Sequence, residues 1–445
     1  MAYERVDGLR YLFIDFNAFF AAVEQHDDRA LRGRPVMVIP LASEHTSAIA
    51  VSYEARAFGV KRGTKVRDAR ALCPGIAIRP ARHDRYVAIH NDIMATLQEF
   101  LPLAKVYSID EAAFRLGRRE SEPGPALEIA RRMRDGLAAR FSPALRASIG
   151  VAPTRLLAKL AAESKKPDGL TVLRLQDLPG KLEGMTLTDI PGVGAGVVAR
   201  LARSDIHEFS ALWNLEPKRA RRIWGSVQGE RFWYALHGYE VDEPAPKKSM
   251  IGHSRVLTAD YQTPDRTRVV ARALLLKAAS RLRHYERYAG ALSLSVRLRP
   301  EGDWEGARKF APSQDNFDFL RSLDDLWEAL LGDVGRNGAS LKIGVVTVYL
   351  HALKRADDPA VRQEDLFADR TAREKAEAGA KLWAAIDAIN SDPTGKFERL
   401  GGARSVGAGE KKRHVVLARQ QGLDLNYLGV KIAFSRVPEA AEFLY

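Results

Sequence analysis

Apolar runs and helical repeats alternate along the N-terminal part of the chain. Tyr11-Leu12-Phe13-Ile14 is a short apolar run of the kind that forms a buried strand, and it closes on Asp15. The segment Asn17 to Gln25 reads as a helix with Asn17 at its N-cap. Tyr86, Ile89, Ile93, Leu97 and Phe100 then recur at helical spacing, in a helix that stops near Pro102. A hairpin containing Val106-Tyr107-Ser108-Ile109-Asp110-Glu111-Ala112 follows. Next come a helix over Ala126 to Arg140 with Ile129, Met133 and Leu137 on one face, a strand over Arg146 to Val151, and a helix over Leu156 to Ser164. This order predicts a sheet with helices on one face in the split βαβ manner, with Asp15 and Asp110 side by side on adjacent central strands.

Beyond Leu173 the periodicity changes. Ile190-Pro191-Gly192-Val193-Gly194-Ala195-Gly196 interrupts two helical stretches, and Gly192, Gly194 and Gly196 would let backbone N–H groups approach a phosphate at the start of the next helix. A plain interhelical turn reads equally well from the same residues. Gly225 and Gly229, after the basic run Lys218-Arg219-Ala220-Arg221-Arg222, predict a second such turn. Pro244-Ala245-Pro246-Lys247-Lys248-Ser249 has the composition of a linker. From His253 the order is strand, long helix (Arg266 to Tyr285), strand, strand, helix (Asn316 to Leu331), strand (Leu341 to Leu350), which repeats the earlier pattern. Leu292, Leu294, Val296 and Leu298 alternate with Ser293, Ser295, Arg297 and Arg299, so one sheet face is a core face and the other carries serine and arginine. That polar face suits backbone phosphates, or is an ordinary solvated face, and Arg255 is placed on the same footing in the first strand. After His351 the chain is acidic and polar, with a helix expected over Thr371 to Asn390 and a flexible basic stretch around Gly401 to His414.

The carboxylates define the candidate chemistry. An aspartate closing a buried strand costs free energy unless a cation or hydrogen-bond donors compensate. Two divalent ions about 4 Å apart need several shared carboxylates, because each prefers oxygen ligands and the two repel. Asp15, Asp110 and Glu111, from two strands, can supply them. The alternatives are that Asp15 caps the following segment and that Asp110-Glu111 is an ordinary hairpin turn.

Four motifs in order carry a family resemblance: Phe13-Ile14-Asp15-Phe16-Asn17-Ala18-Phe19-Phe20; Ser52-Tyr53-Glu54-Ala55-Arg56; Ser108-Ile109-Asp110-Glu111; and Ser148-Ile149-Gly150-Val151-Ala152 through Lys165-Lys166-Pro167-Asp168-Gly169-Leu170. From about residue 10 to 350 the chain resembles the Y-family translesion DNA polymerases (DinB/UmuC-type). Asn17 replaces an aspartate that many members carry, as in the UmuC-like branch; the position is not a metal ligand in the family. The tail also resembles the UmuC-like branch more than the DinB-like one.

The resemblance implies a multidomain α/β (α+β) right-hand polymerase. Residues 1–26 and 83–172 would be a ferredoxin-like palm, 27–82 small fingers, 173–243 a helix-hairpin-helix thumb, 244–250 a linker, 251–353 a βαββαβ-like little finger and 354–445 a C-terminal tail. It implies that Asp15, Asp110 and Glu111 are catalytic and, with the Phe16 backbone carbonyl, hold two magnesium ions, with manganese as an alternative. Tyr53, Arg56 and Lys166 would hold the incoming triphosphate beside Phe19, and Phe20 would be the steric gate that excludes a 2′ hydroxyl. From the residues alone, Phe19, Phe20 and Val23 also read as a helix face packed into a core, Tyr53 to Arg56 as an amphipathic turn, and Lys166 as a solvated lysine. Gly192, Gly194, Gly196, Arg255, Arg297 and Arg299 would contact primer-template DNA. Gln363-Glu364-Asp365-Leu366-Phe367 resembles the bacterial sliding-clamp-binding motif, with Gln363, Asp365, Leu366 and Phe367 as its contacts. The expected activity is low-fidelity, template-directed addition of deoxynucleoside triphosphates to a primer, with lesion bypass and no proofreading, and accessory subunits are conceivable partners. Two other readings compete: a non-catalytic DNA- and clamp-binding scaffold, and a helix-hairpin-helix nuclease using the same metals.

Composition agrees. A chain of 445 residues forms several domains, and 69 basic against 56 acidic residues give a net charge of +13, which suits a polyanionic partner. Cys73 is the only cysteine, which excludes a disulfide framework or a cysteine-rich zinc site. No apolar run approaches ~18 residues and the N-terminus does not read as a signal peptide, so a cytoplasmic, nucleoid-associated protein without membrane contact is expected.

Overall fold

The computed structural model describes residues 3–362, apart from 41–42, 45, 243–247, 300–301 and 335–340, together with 378–379, 381–385 and 387. The chain divides into two compact units at Pro244/Ala245, inside the expected linker.

The first unit is built on β1 (Tyr11–Phe16), which leads into α1 (Phe19–Asp27). An insertion follows: β2 (Val36–Ile39), β3 (Ala50–Val51), α2 (Tyr53–Arg56), α3 (Val66–Leu72) and β4 (Ala77–Pro80), whose strands form a separate three-stranded sheet in the order β3-β2-β4. The chain returns through α4 (His83–Gln98), β5 (Leu103–Val106), β6 (Glu111–Arg115), α5 (Pro123–Arg140), β7 (Ala147–Ala152), α6 (Arg155–Ser164) and β8 (Leu170–Val172). The main sheet has the order β5-β6-β1-β7-β8. Its first four strands, in βαββαβ connection, have the ferredoxin-like arrangement expected.

Helices on one face were expected, yet every residue of β1 and of β7 is buried. A strand buried on both sides needs a layer on each, which explains why Leu12-Phe13-Ile14 is apolar without alternation. One layer is α6. It approaches β7 so closely that a Cβ on Gly150 would lie 2.0 Å from the Ala158 carbonyl oxygen and 2.3 Å from the Ala162 amide nitrogen. Phe13, the register partner of Gly150, joins the apolar cluster of Leu157, Ala158 and Leu160 on that face.

The two ends of the insertion are tied together by charge. Buried Glu24 accepts two hydrogen bonds from Arg82, at 3.0 and 2.8 Å, and a third from the Tyr86 hydroxyl at 2.7 Å. Asp27 pairs with Arg85 at 2.7 Å and Asp28 with Arg79 at 3.2 Å. The insertion is therefore anchored where it leaves and re-enters the main layer.

A helical segment completes the unit: α7 (Ala195–Ala202), α8 (Phe209–Trp213), α9 (Pro217–Trp224) and α10 (Val227–Leu236). Its core of Leu201, Phe209, Leu212, Ile223 and Leu236 is continuous with the α6 face of the sheet. The first expected helix-hairpin-helix is only half α-helical, because short 3-10 turns at Gly180–Leu182 and Leu187–Asp189 precede its glycine turn. Two true α-helices meet at the second site, where Gly225 closes α9 in the left-handed region (φ 68°) and the Ser226 hydroxyl caps α10.

The second unit runs β9 (Met250–Val256), α11 (Pro264–His284), β10 (Arg287–Arg299), β11 (Asp303–Ser313), α12 (Asn316–Val334) and β12 (Lys342–His351). The βαββαβ order of elements repeats that of the first unit, but the strand order does not. Here the sheet is β11-β10-β12-β9, which puts the first strand at an edge, whereas β1 is central in its own sheet. A period-2 pattern tells which face a residue takes, not which strands are neighbours. Leu292, Leu294 and Val296 face the core with α11 and α12 as expected, and Arg297 and Arg299 are exposed. Part of the tail packs here too. Trp383, 4% exposed, lies against Phe317, and the Asp387 carboxylate accepts from Arg283 at 2.6 Å and Ser280 at 2.8 Å.

Candidate active site

The site grows from the ends of two neighbouring strands and of the helix packed on them. Asp15 and Glu111 are register partners between antiparallel β1 and β6, so both side chains leave the same face, the one covered by α6. Glu163, in the last turn of α6, brings a third carboxylate, and one oxygen from each of the three lies within 4.8 Å of the others. Asp110 immediately precedes β6. Its carbonyl accepts from the Phe16 N–H at 2.9 Å, and its carboxylate accepts from the Ser108 hydroxyl at 2.5 Å rather than joining the other three. The Ser108-Ile109-Asp110 turn is held from α4, where His90 Nδ1 donates to the Ile109 carbonyl at 2.8 Å. Burial pulls the His90 pKa down, which keeps the ring neutral.

Two lysines balance this charge. Lys166 Nζ lies 2.8 Å from Asp15 Oδ2 and 2.8 Å from Glu163 Oε1, and Lys159 Nζ lies 2.7 Å from both oxygens of Glu111. Burial pushes the Asp15 carboxyl up to about 7, a rise that Lys166 only partly opposes. Burial raises Asp110 as well. For Lys166 burial acts against the charged form, but Asp15 and Glu163 more than offset it and its pKa rises. The clustered carboxylates of Asp15, Glu111 and Glu163 present hard oxygen donors, a set that fits a divalent cation.

Asn17 does not cap α1 as expected. Ala18 holds the cap position in the left-handed region (φ 51°, ψ 44°), with no side-chain cap. The Asn17 side chain instead donates to Ser148 Oγ at 3.1 Å and accepts from the Asp168 N–H at 2.9 Å, linking β1, β7 and the turn that carries Lys166. Gly169 closes that turn where a Cβ would meet the Lys165 carbonyl oxygen at 1.9 Å.

The other predicted residues divide. Tyr53 and Arg56 share α2, with the guanidinium 4.4 Å above the Tyr53 ring. Tyr53, Asn17, Ala18 and Pro167 line one cavity of about 170 Å³, so α2 and the Lys166 turn face a common space beside β1. Phe19 and Phe20 are buried at the start of α1, and Phe20 stacks on Tyr86 with ring centroids 4.3 Å apart. Gly192 (φ 89°), Gly194 and Gly196 form an exposed turn into α7. Arg297 is exposed and paired with Asp303 at 3.1 Å. Arg255 is not on that footing: it is the register partner of buried Val346, on the core-facing side of the sheet with Ile251, and is itself 7% exposed. Gln363, Asp365, Leu366 and Phe367 lie outside the described residues.

Glu163, Lys159 and His90 were not expected from the sequence. The visible signal for the first two was helical spacing in α6: Lys159 and Glu163 are four apart, on the face that Gly150 draws against the sheet. Among the described residues no helix is long and apolar enough to cross a membrane.

Comparison with known proteins agrees with this geometry. The impB/mucB/samB family matches residues 14–163 and its C-terminal domain matches residues 248–366. A DNA polymerase IV of Moorella thermoacetica is 33% identical over 390 residues, covering 85% of this chain and 92% of the relative. A DNA polymerase IV of Halorhodospira halophila is 31% identical, covering 81% and 99%. Among solved structures, a Y-family DNA polymerase chimera of Dbh and Dpo4 superposes with a TM-score of 0.64 at 24% identity, over 78% of this chain and 99% of the chimera, and so shares the fold. With both units matched and the Moorella relative covered almost end to end, the chain belongs to the impB/mucB/samB family of Y-family, DinB-type DNA polymerases.

Proposed function

We propose that the protein is a template-directed DNA polymerase of the translesion type, adding deoxynucleotides to a primer 3′ end. The observation that carries this reading is the register pairing of Asp15 with Glu111 at the mouth of the main sheet, beside a cavity bordered by Tyr53 and the Lys166 turn. Relatives named DNA polymerase IV support it, as does a fold shared at a TM-score of 0.51 with a structure described as the insertion ternary complex of Dbh DNA polymerase.

Asp15, Asp110, Glu111 and the Phe16 carbonyl would hold two magnesium ions, or manganese in their place. When bound, such ions lower the pKa of the attacking hydroxyl and stabilise charge on the transferred phosphoryl group. The chain's own residues do the rest. Asp110 leaves Ser108 to join Asp15 and Glu111. Lys166 exchanges a carboxylate partner for a phosphate oxygen of the incoming nucleotide, and Arg56 offers a planar fork to the same triphosphate next to Tyr53. Phe20 sets the floor under the sugar, and its stacking on Tyr86 fixes the ring so that a 2′ hydroxyl meets a wall. The exposed turn at Gly192, Gly194 and Gly196 and the outward Arg297 and Arg299 contact the DNA backbone. Leu366 and Phe367 of the 363–367 motif are the anchors for a sliding clamp, which would raise the local concentration of polymerase at a primer end.

The test is extension of a labelled primer on an undamaged template with magnesium and deoxynucleotides. Nucleotide-dependent lengthening is the expected result. Tight DNA binding with no extension, with or without a sliding clamp, would favour a scaffold instead.

A further inference from the structure

Two helices of the first unit converge four arginines on one hollow away from the carboxylates. Arg200 and Arg203, three apart at the C-terminal end of α7, and Arg219 and Arg222, three apart on α9, line a cavity of about 410 Å³ with Ser204 and Ile223. Backbone carbonyls orient three of the guanidiniums. Arg200 Nε donates to Ile223 at 2.7 Å, Arg203 Nε to Ala199 at 3.2 Å and an Arg219 terminal nitrogen to Ser204 at 3.2 Å. Each bond uses one nitrogen and leaves the rest of the fork available. Among the described residues no carboxylate is paired with any of the four, although Arg221, on the same helix, is paired with Glu230 at 3.5 Å. Concentrating like charge around a hollow raises the energy of the folded protein unless an anion is bound there. The Gly192–Gly194 turn opens α7 at its other end, about 12 Å away along the axis.

We infer that this hollow is a second phosphate-binding site, distinct from the glycine turn, which takes phosphodiester groups of a nucleic-acid backbone. Arginine forks bind phosphate oxygens in pairs, and the volume exceeds what one phosphate needs. The choice of nucleic acid over free polyphosphate rests on the polymerase reading; the cationic hollow itself does not. No base edge is read by such a site, so it adds affinity without sequence preference.

The test measures binding of a fluorescent 25-base-pair duplex to the full chain by anisotropy over a potassium chloride series, without nucleotide or divalent metal, so a failure of polymerase activity leaves it interpretable. Arg203→Gln with Arg222→Gln removes two exposed charges from the hollow. Arg119→Gln with Arg131→Gln removes two exposed charges elsewhere in the same unit. The first pair is expected to weaken duplex binding roughly 10-fold at low salt and to reduce the slope of log affinity against log salt by about 2. The second pair should change affinity less than about 2-fold, having no phosphate contact to lose. Arg203→Lys with Arg222→Lys keeps the charges and should keep the wild-type slope, which separates loss of charge from loss of fold. Wild-type affinity and slope in the glutamine pair would overturn the inference. So would an equal loss in the surface pair, or a glutamine pair that loses only inorganic tripolyphosphate, measured by calorimetry, while holding the duplex.

Discussion

Asp15 and Glu111 face each other as register partners across β1 and β6, so the backbone ladder itself sets two carboxylates side by side. Lys166 and Lys159 then hold that charge, each through contacts of 2.8 Å or less. The carboxylates are thus preorganised by the sheet, and a cation held there would take the place of the lysines as their counter-charge.

Glu163 shares Lys166 with Asp15 and has an oxygen in the same cluster. Replacing it with Gln keeps the shape and removes one charge from the proposed metal site. We expect the magnesium concentration for half-maximal extension to rise about 10-fold, with turnover at saturating magnesium within a few-fold of wild type. A metal titration of extension decides this, and an unchanged requirement would take Glu163 out of the site.

Phe20 is both a core residue and the proposed gate. Its ring is 3% exposed and stacked on Tyr86, so Phe20→Ala should cost about 3 kcal/mol of stability. Phe20→Leu should cost less, and both variants should incorporate ribonucleotides more readily. Competing ribo- and deoxynucleotides on one template gives the ratio, and sugar discrimination equal to wild type in both variants would leave Phe20 with the packing role alone.

Gly150 has no room for a side chain, because a Cβ would meet backbone atoms of α6 at 2.0 and 2.3 Å. Gly150→Val should destabilise by about 3 kcal/mol and shift α6, which carries Lys159 and Glu163. Thermal unfolding and extension should both suffer. A variant with normal stability would mean that the helix can lift away freely.

The Arg85 hydrogen bond holds the Asp27 carboxyl below its ordinary value, with burial acting the other way. A depressed carboxylate contributes stability that is present above its unfolded pKa and is lost as pH falls through the folded one. Arg85 is 39% exposed, which limits the pair to about 1 kcal/mol. Asp27→Asn should therefore be less stable than wild type at neutral pH, and the gap should close in acid, as followed by urea unfolding. A gap independent of pH would contradict the assignment.

Much of this was legible in the sequence. The unbroken apolar run of β1 and the acidic turn before β6 bring the two acidic signatures to adjacent strands, but one residue out of the expected register: Glu111 rather than Asp110 lies opposite Asp15, because β6 begins at Glu111 and the Asp110 carboxylate turns to Ser108. What escaped depends on long-range geometry. Asn17 fits N-cap statistics, but its partners Ser148 and Asp168 belong to β7 and the following turn. Glu163 looks like any polar residue of an amphipathic helix until Gly150 pulls that helix onto the sheet. Arg255 follows the phase of Ile251 and Leu257, which are both buried, and that phase was readable; matching it to Arg297 by residue type was not a sound guide to its face. The neighbours of β9 and β10 could not be read, since alternation does not encode strand order.

The most direct measurement is single-nucleotide extension of a labelled primer by wild type and by the Asp110→Asn, Glu111→Gln double variant, with duplex binding and thermal unfolding followed in parallel. Loss of more than about 1000-fold in extension, with binding and folding retained, is the predicted result, since the variant removes charge only where the metals are proposed to sit. Extension near the wild-type rate in that variant would contradict the account.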